Sequence, residues 1–132
     1  MLTGKTYVMT PIVNYETPGY RKSKVMLQHQ YPTAEFLWPD TLFSSNLDWL
    51  INFPHYLQAS DCGLVIPDRQ GMVGSGVYAE YKAFLKTGKP VYCLNNIRIT
   101  TDFALQIINK NDRQRYARVI VETKAVIANE RA

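Results

Sequence analysis

The chain has 132 residues, 46% of them hydrophobic and 20% charged, the balance of one folded domain with a single core, which excludes a disordered chain. No apolar run reaches the ~20 residues that a membrane-spanning helix needs. The formal net charge is +4, but the basic residues are scattered from Lys5 to Arg131; the densest groups, Arg21-Lys22-Ser23-Lys24 and Arg113 to Arg118, fall short of a nucleic-acid-binding arm and suit a small anion better than a polymer.

The opening Met1 to Pro11 has no basic stretch followed by an apolar one, so no signal peptide is expected. Cys62 and Cys93 lie in or beside apolar segments without Cys-x-x-Cys or metal-type spacing, and read as buried free thiols of a reducing cytoplasm. His29 and His55 lack partners at catalytic or metal spacing, so neither a metal nor a cofactor is expected.

In chain order, Thr6 to Val13 reads as a first strand ending near Pro11, and Pro18-Gly19 punctuates the turn-like stretch behind it. Tyr20 to His29 follows as a helix with Val25, Met26 and Leu27 inward, then Ala34 to Trp38 as a second strand closed by Pro39-Asp40. Asn46 to Ser60 carries Leu47, Leu50, Ile51 and Leu57 at mixed helical spacing, and Pro54 is expected to break or kink it into two short helices. Cys62 to Pro67 is a short apolar run without alternation, as in buried parallel strands. After a glycine-bearing loop from Asp68 to Gly76, Val77 to Thr87 reads as a helix with Ala79, Ala83 and Phe84 on one side and Gly88 as its stop. Pro90 to Leu94 is the fourth strand, Thr101 to Asn109 a helix with Asp102 near its start, and Tyr116 to Val121 the fifth strand; the tail to Ala132 is a short helix or frays.

Strand and helix alternate throughout. That pattern predicts one doubly wound α/β domain over residues 1–132, with a roughly five-stranded parallel sheet and helices on both faces. Ligands of such sheets sit beyond the carboxyl ends of the strands, at the point where the strand order reverses, so the loops after Val13, Trp38, Pro67 and Leu94 matter most.

Gly71, Gly74 and Gly76 let the backbone approach a ligand and leave amides free at a helix start, which suits an anion or sugar oxygens. Glu80, placed in a first helical turn, either complements the helix dipole or reacts. Asp68, directly after a strand, is either a turn residue or a catalytic one. Trp38, Trp49 and Tyr56 are either core aromatics or stacking faces for a base, and Asn95 and Asn96 either turn residues or contacts to a sugar.

The run Ala59-Ser60-Asp61-Cys62-Gly63-Leu64-Val65-Ile66-Pro67, the Gly-x-Gly-x-x-x-Glu pattern from Gly74 to Glu80, then Ala83 and Gly88-Lys89-Pro90-Val91, resemble the nucleoside 2-deoxyribosyltransferase family. Its superfamily also includes nucleoside 5'-monophosphate N-glycosidases. The opening Tyr7-Val8-Met9-Thr10-Pro11 resembles the family's first strand, and the likeness covers roughly residues 6–95.

The resemblance implies a Rossmann-like (flavodoxin-like) cytoplasmic enzyme, a dimer or larger homo-oligomer, acting on a nucleoside or nucleotide and on neither a nucleic-acid polymer nor a membrane. It implies Glu80 as the nucleophile that attacks the anomeric carbon and displaces the base, with Tyr7 orienting it. A second acid must serve the departing base, and Asp68 is the candidate. Gly74, Ser75, Gly76, Arg21, Trp38 and Asn95 are the candidates for holding substrate. The chain departs from the family at Gly74, where transferases carry an aspartate and the monophosphate-cleaving members often a serine, and in the loop from Asn14 to Lys24, which lacks a glycine-rich phosphate run. Two other uses of the fold are a non-catalytic nucleotide-binding or sensing module and an NAD-cleaving domain like the Toll/interleukin-receptor type.

Overall fold

The computed structural model describes residues 2–68, 72–95, 98–100 and 106–107. Its main sheet runs β2-β1-β3-β5-β6, from β1 (Gly4–Met9), β2 (Ala34–Leu37), β3 (Cys62–Val65), β5 (Val91–Asn95) and β6 (Arg98–Thr100). The first four are parallel, with Thr6 opposite Cys62 and Val65 opposite Cys93. The edge strand β6 is antiparallel to β5, so the expectation of an all-parallel sheet needs correcting there. Only two residues separate β5 from β6, and a connection that short can make a hairpin but no crossover. A second pair joins β4 (Met72–Val73) to β7 (Gln106–Ile107) in parallel. The helix expected over Thr101 to Asn109 is therefore a strand at Gln106–Ile107, where it completes the ladder of β4. Gly71, Asn96, Asp102, the Arg113 to Arg118 group, the fifth strand expected over Tyr116 to Val121 and the tail lie outside the described residues.

Both faces of the sheet are covered, and the alternation of β1 sorts its side chains between them. Tyr7 and Met9 enter the core shared with α3 (Asn46–Ala59) and α4 (Ser75–Leu85), beside Phe53, Leu57, Val77 and Phe84. Val8 enters the opposite core, with Tyr20 and Leu27 of α1 (Pro18–Gln30) and with Trp38. Helix α1 starts earlier than the sequence suggests, because Pro18 occupies its first position and the Thr17 hydroxyl accepts from the Tyr20 amide. Tyr20 and Leu27 set its inward face, which leaves Val25 69% exposed rather than buried.

Pro54 does not divide the second helical segment: α3 is continuous, with Pro54 inside it. An interior proline costs about 3 kcal/mol in a helix. Here Phe53, Pro54 and Leu57 are all buried, and that packing offsets the lost hydrogen bond. Gly63 sets the depth of α4 on the sheet. A Cβ there would stand 2.8 Å from the flexible end of Met9, at Cε, and 3.3 Å from the Phe84 ring, so a side chain at this position would push both away from β3.

Candidate functional site

The strand order reverses between β1 and β3, and the loops leaving their carboxyl ends are stitched together. Thr10 Oγ1 donates to the Ile66 carbonyl at 2.7 Å, and Asn14 Nδ2 donates to Thr10 Oγ1 at 2.9 Å and to the Pro67 carbonyl at 3.0 Å. Asn14 stands in a single 3-10 turn (Ile12–Asn14) and is buried, so it fixes the distance between the two loops.

Glu80 lies next to this junction. Helix α4 begins at Ser75 with Gly74 as its N-cap, which puts Glu80 in the second turn and not, as expected, in the first. It shares a buried face with Val77 and Phe84, at the spacing where an apolar residue belongs, and is only 4% exposed. A carboxyl in that stripe is costly unless it is partnered. The Tyr7 hydroxyl, buried on β1, donates to Glu80 Oε2, and the Trp49 indole of α3 also favours the ionised carboxyl. Burial raises the Glu80 pKa from its ordinary 4.5 to about 8, against the pull of Tyr7 and Trp49 toward the ionised form. Burial and the neighbouring Glu80 charge together push the Tyr7 phenol well above its ordinary 10.0, so it stays a donor.

Tyr15 stands in the loop after β1, half-buried and stacked on Tyr20 at 6.1 Å. Burial raises its pKa, and the charges of Glu80 and Asp40 add to that. The carboxyl is thus bonded by Tyr7 and favoured in its ionised form by Trp49, while Tyr15, packed on the α1-face core, interacts with it through charge alone. Of these, only Tyr7 is an expected site residue. Trp49 stood open between core and stacking roles, and the signal for it was topological: a helix that follows a strand starts at the sheet's carboxyl edge, so the first turn of α3 belongs to the ligand side.

The other candidates are placed as follows. Gly74 caps α4, with nothing among the described residues within 4 Å of where its Cβ would be, and Gly76 packs against the Trp49 ring. Ser75 is the first helical residue. Arg21 is exposed in the first turn of α1, at the same edge of the sheet. Asn95 ends β5, with its backbone paired to Arg98. Asp68 is half-buried behind β3, and the groups that favour the ionised form of Glu80 are Tyr7 and Trp49.

Trp38 belongs elsewhere. It is buried in the core on the α1 face, stacked on Phe36 at 5.2 Å and edge-on to Tyr20 at 5.9 Å, which removes it from the Glu80 side of the sheet. Asp40 beside it accepts from Tyr20 Oη at 2.8 Å and from Lys24 Nζ at 2.7 Å. Partial burial opposes ionisation of Asp40, but these two donors win and hold its pKa below the ordinary 3.8. Cys62 and Cys93 are free and buried, and burial pushes the Cys93 thiol up to about 11.

Among the described residues no group of His, Cys, Asp and Glu could hold a metal ion, and no helix is long and apolar enough to cross a membrane. No protein-family model, curated protein or solved structure matches the chain.

Proposed function

We propose that the protein cleaves or transfers at the N-glycosidic bond of a nucleoside or nucleoside 5'-monophosphate, with Glu80 as its nucleophile. The reading is carried by one observation: a buried carboxyl held by the Tyr7 hydroxyl beside the switch point of a doubly wound sheet. In the ionised form, Glu80 bonds to the anomeric carbon as the carbon–nitrogen bond breaks, and the departing base takes up a proton. Asp68, on the loop after β3, is the acid proposed for that proton. Water or a second base then attacks the glycosyl ester and frees Glu80. Among the described residues nothing stands where a Gly74 side chain would be, which suits a sugar at the position where the family that the chain resembles carries an aspartate or a serine, and Arg21 suits a phosphate.

The test is base release from a panel of ribo- and deoxyribonucleosides, their 5'-monophosphates and NAD, followed by chromatography. Wild type is expected to release base and Glu80→Ala to release none; nicotinamide release from NAD alone would favour the NAD-cleaving use of the fold. A second reading, a nucleotide-binding module, is favoured by the proton that Glu80 keeps at neutral pH and by the missing side chain at Gly74. Thermal stabilisation by a nucleotide without base release from any substrate would put that reading first.

The proposal includes self-association. Ile12, Val13 and Leu47 are each more than 60% exposed, in the loop after β1 and the first turn of α3, and a second copy of the chain would bury such residues. Light scattering should give a multiple of 15.2 kDa at micromolar protein; a monomer mass would refute this part.

A further inference from the structure

The geometry points to Trp49 as a positioning residue for Glu80: the N–H edge of its indole packs on Gly76, one turn before Glu80 on the same face of α4. The inference deepens the proposed function and rests on it for its catalytic meaning, though not for its structural test. Gly76 and Glu80 are four residues apart on α4, so they lie one above the other on one helix face. A Cβ at Gly76 would stand 3.4 Å from Trp49 Cη2 and 3.6 Å from Cζ2. Those atoms belong to the same edge of the indole as its N–H, the only donor the side chain has. That edge therefore runs from Gly76 toward Glu80, one turn further along the helix, and it favours the ionised form of the carboxyl.

The indole is held from behind as well. Its ring stacks on Phe53 one turn further along α3, with centroids 4.9 Å apart and planes within 17°. The turn that carries it is fixed by the Ser45 hydroxyl, which accepts from the Asp48 amide at 3.1 Å, and by Asp48, which accepts from Asn52 at 2.6 Å. Gly76 thus stands at a helix start and is also the gap that seats an aromatic wedge. The second use explains why no side chain is placed there. Among the described residues, the groups that interact with the carboxyl are Tyr7 from β1, Tyr15 from the loop after it and Trp49 from α3.

Trp38 and Trp49 are the two tryptophans of the chain, so Trp38→Phe makes Trp49 the sole indole reporter. Among the described residues the Trp38 N–H has no partner, so that substitution removes no hydrogen bond there. A protonated carboxyl against an indole quenches it more than an ionised one. In the Trp38→Phe protein, Trp49 emission should rise between pH 6 and 9.5 with a midpoint near 8, and Glu80→Gln in the same background should abolish the step.

The carboxyl itself is followed by carbon NMR of labelled glutamate, assigned by the signal lost in Glu80→Gln. Trp49→Phe keeps a ring but has no N–H, and Gly76→Val displaces the indole while leaving both partners intact. Either should move the Glu80 midpoint about one pH unit higher, by loss of a donor to the charged form. Trp49→Phe should also lower kcat for base release with KM unchanged. A flat emission profile in Trp38→Phe, or an unmoved Glu80 midpoint in Trp49→Phe, overturns the inference. If no substrate releases base while both spectroscopic steps appear, the proposed reaction fails and the Trp49–Glu80 contact stands.

Discussion

Tyr7 and Glu80 are both buried, and removing either polar group strands the other. The size of the loss depends on the proton. When Glu80 is protonated its carbonyl oxygen still accepts from the phenol, as a neutral bond. When it is ionised the bond is charge-assisted and about twice as strong. Tyr7→Phe should therefore cost about 1 kcal/mol at pH 6 and about 2–3 kcal/mol at pH 9.5, with Tyr7 neutral at both. Urea unfolding of the two proteins at the two pH values measures it. An equal loss at both would mean that the phenol does not support the charged carboxylate.

The elements that the sequence made legible are those that repeat a rule. Parallel β1, β2, β3 and β5 follow from short apolar runs separated by helices, and Gly88, at φ +74, closes α4 in the left-handed conformation that its place predicted. Pairing Tyr7 with Glu80 needed the family resemblance; composition could not bring residues on β1 and α4 together. What stayed hidden depended on tertiary context. Pro54 remains helical because the core around Phe53 and Leu57 holds it, and no local propensity records that. Leu47 and Ile51 look like core positions by spacing, but they lie on the outer side of α3 and are 65% and 47% exposed. The strand at Gln106–Ile107 has a helical pattern and is set by its partner β4. Trp38 shows the same limit from the other direction. It sits at the expected end of β2, but only the packing decides which face of the sheet its ring enters.

For the whole molecule, these groups combine into a stability curve with an unusual position. Glu80 has a folded pKa raised to about 8 from 4.5, so folding takes up a proton between those values. Its contribution is fully present below pH 4.5 and is lost as pH rises through 8. Each pH unit in that window changes stability by up to about 1.4 kcal/mol, roughly 5 kcal/mol in all. Asp40 and Asp48 act in the opposite sense: their pKa values are lowered, so what they contribute is present above about 3.8 and is lost as acid titrates them below it. The buried Cys93 thiol and the raised tyrosines weaken the fold only at high pH, where their unfolded forms would ionise. Maximum stability is therefore expected near pH 4.5–5, falling toward pH 8 and then levelling. Unfolding free energies at pH 5, 6.5, 8 and 9 should trace that descent, and Glu80→Gln should flatten it while making the protein more stable at pH 8. A wild-type profile level from pH 5 to 8 would show that the carboxyl is already ionised in the folded protein. The proposed chemistry needs the form of Glu80 that the fold disfavours. Base release should accordingly rise with pH across the same window in which stability falls, and substrate binding would have to supply the ionisation at neutral pH.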